Sequence, residues 1–280
     1  MQLCFMPLLA VIREIYHMPI GWDRFGRYVG TILSDDRADA LYPPLIALNP
    51  MAKPHVTAAI EALIALDAEA IAAATLAEIN GELAALPYHL WVGFTVVDDV
   101  RGGWTDRYLT EMQLLFPAQV DVARWGWITV QLRASETYTA DRIRQEVRAW
   151  TYRTLHALHL GDATTLGDML RQEGRALRWA ALPPPALDAE ELAYAQAIVA
   201  PHLLSTELPT QFACLYGDAG ASHAGYPQLG LSEQSGFTVA WHAAHDEEPA
   251  QILLQTPQRS FNAKPPLPSA SPMLPPPALP

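Results

Sequence analysis

The chain has 280 residues, half of them hydrophobic and 17% charged, with a formal net charge of −12. This apolar content excludes disorder of the whole chain, and 16 glycines and 2 cysteines exclude collagen-like and disulfide-framework proteins. The acidic balance argues against a nucleic-acid partner, because phosphate binding depends on an excess of Lys and Arg.

The first 86 residues are predicted to form a mainly helical region. Leu3–Ile12 is a short apolar segment that we interpret as helix or core, because no Lys or Arg precedes it as in a signal peptide. No apolar run is long enough for a membrane-spanning helix, so we expect a soluble, cytoplasmic protein without a membrane partner. Pro54 predicts one helix start, and Asp67 predicts the N-cap of an alanine-rich helix that continues to Leu86.

Residues 87–182 are predicted to form a central β-α-β-α-α unit. Apolar and polar residues alternate in His89–Asp98 and in Trp125–Arg133, which indicates two strands. Helices are expected from Thr105 to about Phe116, from the N-cap Thr139 to about Leu160 with Gly161 as its C-terminal stop, and over roughly 165–179.

Residues 186–262 are predicted to form a C-terminal α+β unit after a linker at Pro183–Pro185. Asp188 predicts the N-cap of a helix to about Ala200. Strands are expected at 212–216, 236–242 and 252–255, which makes this unit small and mostly β. The Pro-rich tail, residues 263–280, is predicted to be disordered. The fold class is therefore α+β (or α/β).

A double-glycine corner follows the first strand of the central unit. Backbone N–H groups at a helix N-terminus favour anions, and glycine lets the backbone approach a ligand. We therefore predict ligand binding there by Arg101, Gly102, Gly103, Trp104, Thr105 and Arg107. The adjacent carboxylates of Asp98 and Asp99 are the candidate catalytic acid and base. The alternative is an ordinary strand-to-helix turn.

The outward face of the two predicted strands is rich in tryptophan. Trp91 and Trp127 are predicted to contribute to ligand binding, with Thr129, Gln131 and Arg133 beside them. The alternative is that this face packs against other helices or a partner subunit.

Two His-x-x-His pairs are spaced as metal ligands can be: His156 with His159, and His242 with His245. Neither belongs to a recognised zinc motif, and surface histidines are the alternative. Cys214 is expected to be a buried, unreactive thiol.

Three hypotheses of function follow. The first is an enzyme or enzyme-like binder of a small anionic molecule at the double-glycine corner. The second is a non-catalytic interaction or assembly protein, whose aromatic sheet face or Pro-rich tail contacts a protein partner or a second copy. The third is a metal-dependent hydrolase that uses the histidine pairs. The sequence identifies no cofactor and no reaction.

Overall fold

The computed structural model describes residues 1–34, 40–100 and 107–256, without the side chain of Arg107. The double-glycine corner and the Pro-rich tail therefore lie outside the described residues.

A three-stranded parallel sheet organises the molecule. Its strands are β1 (Gln2–Phe5), β2 (His89–Val97) and β3 (Trp127–Arg133), in the order β1-β2-β3. Gln2 is paired with His89, and Trp91 with Trp127. The two predicted strands are confirmed, whereas β1 lies in the segment that we interpreted as helix or core.

The N-terminal region is mainly helical after β1. It contains α1 (Leu9–His17), α2 (Trp22–Ile32), a 3-10 turn (Pro43–Ala47), α3 (Pro54–Ala65) and α4 (Ala68–Glu82). Pro54 begins α3 as predicted. Asp67 precedes α4 as predicted, but its side chain makes no capping hydrogen bond because its backbone is left-handed.

The described residues of the central segment contain α5 (Arg107–Leu115), α6 (Gln119–Trp125), α7 (Ala140–Leu160) and α8 (Leu166–Trp179). The N-cap predicted at Thr139 is confirmed, because its hydroxyl accepts a backbone hydrogen bond from Arg142. The hydroxyl of Thr165 accepts one from Asp168 and caps α8 in the same way. Gly161 ends α7 as predicted. The short helix α6 is additional, so the order is β-α-α-β-α-α.

The regular secondary structure of the C-terminal segment is all helical within the described residues. It contains α9 (Ala189–Val199), α10 (Leu208–Ala224), α11 (Ser235–Ala243) and α12 (Pro249–Gln255). The helix capped by Asp188 is confirmed. The strands predicted at 212–216, 236–242 and 252–255 are wrong. Residues 212–216 are buried on every side, and a short, wholly apolar run has no periodicity that separates strand from helix.

One hydrophobic core joins these elements, with side chains from β1 through α12. Helix α7 contacts α4 and the strand β3, and α8 contacts α11. Some helices thus lie against the sheet, and others lie farther from it. The fold class is therefore α+β, as expected. None of the described helices is both long and apolar enough to cross a membrane.

Candidate functional site

Asp98 and Asp99 lie at the carboxyl end of β2, where their surroundings differ. Asp98 is buried, and its Oδ1 lies 2.7 Å from Nε2 of His55, near the start of α3. Asp99 accepts hydrogen bonds from the backbone and the hydroxyl of Ser135. His55 was missed by the sequence analysis, because nothing in the spacing connects α3 to the end of β2. The catalytic role of the two aspartates stays a prediction.

On the tryptophan-bearing face of the sheet, other residues cover β2, whereas β3 borders a cavity. Trp91 and Trp127 are half-buried, with ring centroids 6.3 Å apart. Gly93, two residues along β2 from Trp91, leaves room for Leu8, Pro44 and the ring of Trp127, which a side chain there would meet. Tyr42 packs its ring edge-to-face on Trp127. The β2 half of the face is therefore a packing surface, whereas the β3 half borders an open space.

A cavity of about 400 Å³, which we call the aromatic hollow, lies beside β3. Its walls come from the 3-10 turn, from α5, α6 and α7, and from β3. Its indole and hydroxyl lining consists of Trp125, Trp127, Trp150, Thr110, Thr129 and Thr154. Its size and aromatic lining are typical of a site for a small organic molecule. Trp127 thus lines this cavity, whereas Trp91 is not part of its lining, and the role of both in ligand binding stays a prediction.

A second cavity, of about 90 Å³, lies further along the same face of β3. We call it the charged cavity, because its lining includes Arg133, Arg142, Arg153, Glu111, Glu136 and Glu146. Trp150 lines this cavity and the aromatic hollow, so the two adjoin. Along β3, Thr129 borders the hollow and Gln131 borders the charged cavity. Residues two apart on one strand face lie about 6.8 Å from each other.

The arginines of the charged cavity are already paired with carboxylates. Arg133 donates to Glu136 and Glu111, and Arg142 contacts Glu136 and Glu146, the latter at 2.8 Å. Arg153 is held by Glu173 of α8. These three arginines are therefore not free to bind an anion at this point.

Four polar groups of this lining are buried at a cost: the carboxylate of Glu146, and three atoms without a hydrogen-bond partner among the described residues. Burial raises the pKa of Glu146, against the opposing effect of Arg142 and the other arginines. The amide oxygen of Gln131 is buried and has no hydrogen-bond partner within the described part of the chain. The same holds for Nε of Arg142 and Nε1 of Trp150. Unpaired buried polar atoms are costly, and they indicate a place where water or a ligand is bound.

The rim of the charged cavity contains two non-glycine residues with a left-handed backbone. Gln234 (φ 57°) lines the cavity, and Ala181 (φ 51°) precedes Leu182, which also lines it. Such strained conformations are concentrated at functional sites in proteins. The strain supports a functional role for this cavity.

The first histidine pair has structural partners. Both ring nitrogens of His159 are engaged, Nδ1 with the hydroxyl of Tyr88 and Nε2 with the carbonyl of Thr256. His156 is buried against Tyr152, and burial lowers its pKa to about 4. Neither residue faces solvent.

The second pair, His242 and His245, is exposed around the end of α11. Over residues 1–34, 40–100 and 107–256, no group of three or more His, Cys, Asp or Glu side chains could hold a metal ion. The metal-hydrolase hypothesis therefore gains no support from the described residues.

An open groove of about 720 Å³ runs between α8, α9 and α11, and Leu203 and Leu204 lie at its edge. Leu204 is 87% exposed. This groove is larger than the aromatic hollow, but none of the unpartnered buried polar atoms of the described chain belongs to its lining. The paired cavities along β3 are therefore the better candidate site. No family model, curated protein or solved structure matches this chain.

Proposed function

We propose that the protein binds a small organic molecule whose apolar part occupies the aromatic hollow and whose polar end reaches the charged cavity. The observation that carries this proposal is that Trp150 lines both cavities, so an indole-lined space adjoins a polar one. A ligand with an apolar body and one polar end fits such a pair.

The packing of β2 supports this reading over an interface role for the sheet face. Leu8 and Pro44 already cover β2 at Gly93. The open space along β3 is concave and bordered by helices. Small molecules bind in concave sites, whereas protein partners usually bind to flatter surfaces.

Binding of indole tests the proposal. We expect the wild-type chain to bind indole with a Kd of roughly 1 mM, a reasonable affinity for so small an apolar ligand. Calorimetric titration gives the affinity, and saturation-transfer NMR shows contact with the indole protons.

Thr129→Phe fills the hollow from β3, where an aromatic residue suits a strand, and should abolish binding. The control is Trp22→Ala on α2, since Trp22 is 84% exposed and is not part of the hollow. Failure of indole to bind, or equal binding by the folded Thr129→Phe variant, would overturn the proposal.

A further inference from the structure

The charged cavity and its partner Glu173 hold one carboxylate more than they hold arginines, although each carboxylate contacts an arginine. Its lining supplies three of each, and Glu173, which is fully buried, adds a fourth carboxylate through its bond to Arg153. Uncompensated buried charge is expensive, so such a cluster takes up either a proton or a cation.

We propose that the polar end of the ligand is a protonated amine, held between Glu146 and the amide oxygen of Gln131. This inference rests on the proposed function, because it names the chemistry of a ligand whose apolar part lies in the aromatic hollow. An ammonium group gives the surplus carboxylate a counter-charge and gives the Gln131 oxygen a donor.

Gln131 supplies an observation that is independent of the charge count. It is 6% exposed, it lines the charged cavity, and its amide oxygen has no partner among the described residues. An unpaired acceptor beside a surplus carboxylate is the complement of a group with several N–H donors. Lysine has such a group, but no lysine lines this cavity.

The unpaired donors of Arg142 and Trp150 do not reverse this conclusion. They are satisfied by acceptors of any kind, and a cavity of this volume has room for about three water molecules. A ligand carboxylate would serve them as well, but it would add a negative charge to a buried cluster that already has a surplus. Burying charge without compensation costs more than a single neutral hydrogen bond gains.

The distance between the aromatic hollow and the charged cavity also fits an amine on a short chain. Thr129 borders the hollow, and Gln131, about 6.8 Å further along the same strand face, borders the charged cavity. A two-carbon chain places the nitrogen roughly 4 Å from its ring carbon, and the ring itself covers the rest of this separation. Tryptamine is therefore the natural probe.

Binding of the amine should depend on pH through Glu146. Its pKa is raised by burial, and a bound ammonium group favours the ionised carboxylate, so binding releases a proton. The affinity for tryptamine should therefore rise with pH. The charged and titratable groups that face Glu146 are Arg142 and Arg153 of α7, Arg133 of β3, Glu136 and Tyr138 of the β3–α7 loop, Glu111 of α5 and Glu173 of α8.

Three probes that share one ring test the inference with the wild-type chain alone. We expect tryptamine to bind about ten-fold more tightly than indole, and indole-3-acetate to bind more weakly than indole. Equal binding of tryptamine and indole-3-acetate, or tighter binding of the acid, would overturn the inference and leave the proposed function intact. If indole itself fails to bind, the proposed function has failed.

Glu146→Gln removes the surplus charge with little change of shape. In this variant we expect indole to bind as before, tryptamine to lose its advantage, and the rise with pH to disappear. Glu247→Gln is the matched control, because Glu247 pairs with Arg175 outside the charged cavity. If the Glu146→Gln variant does not fold, Gln131→Leu serves instead and should weaken tryptamine but not indole. A tryptamine advantage that survives in either folded variant would contradict the assignment.

Discussion

Arg153 and Glu173 form a forked ion pair inside the protein: Nε and Nη2 of the guanidinium lie 2.9 and 2.7 Å from the two carboxylate oxygens. Both side chains are almost fully buried, and the pair connects α7 to α8. It therefore fixes the relative position of two helices that border the charged cavity.

Replacing Arg153 by methionine should cost about 3–5 kcal/mol of stability, because Glu173 would be left as a buried charge without a partner. Urea unfolding measures the change. The control is Arg171→Met, whose half-exposed pair with Asp168 should be worth less than about 1 kcal/mol. Similar losses in the two variants would show that the buried pair has no special role.

The close approach of α8 and α11 depends on Gly174. A Cβ at this position would overlap the carbonyl oxygen of Ala240, which is backbone and cannot move aside. Gly174→Ala should therefore destabilise the protein by about 1–3 kcal/mol. Gly81→Ala in α4 is the matched change, since nothing lies within 4 Å of its added Cβ. It should stabilise the protein by up to about 1 kcal/mol. The opposite signs are visible in thermal unfolding, and two losses would contradict the packing argument.

His156 should make the protein less stable in mild acid. Its pKa is about 4 in the folded state and near 6.5 when unfolded, so the unfolded chain takes up the proton first as the pH falls. From pH 7 to pH 5 this single group should remove about 2 kcal/mol of stability. His156→Gln should remove that part of the pH dependence. An equal loss in wild type and variant would mean that other groups account for it.

The two thiols should react very differently. Cys214 is buried and burial raises its pKa to about 11, whereas Cys4 is partly exposed, and neither forms a disulfide. Ellman's reagent should label one thiol in the native protein and two after unfolding, because thiolate is the reactive form. Cys4→Ser should remove the native reaction. Rapid native labelling of the Cys4→Ser variant would contradict the burial of Cys214.

The elements that were predicted correctly are those whose sequence signal lies within a few neighbouring residues. The alternation in β2 and β3 reflects their burial, and Thr139, Thr165 and Asp188 are caps whose function depends on residues three positions away. The C-terminal helices could not be identified in this way. Around Cys214 each side chain is apolar and buried, so neither period is visible.

The site was only half predictable for a similar reason. The face of β3 that carries Trp127 was identified as a binding surface, because its indole and hydroxyl side chains interrupt an apolar pattern. The charged cavity combines Glu111, Glu146 and Gln234 from three distant segments. Their proximity depends on long-range packing, which cannot be predicted from the spacing of residues in the sequence. The division of the chain into separate ranges also remains a prediction.

The pairing of β1 with β2 has a consequence for how the chain folds. Gln2 meets His89 in the register, so β1 gains its partner only after a long intervening segment is ordered. Closing a loop of that length costs about 4 kcal/mol of chain entropy. Nascent helical hairpins such as α3–α4 form from near neighbours at little such cost. Refolding should accordingly proceed from helices to sheet, with strand alignment as its slow, rate-limiting event.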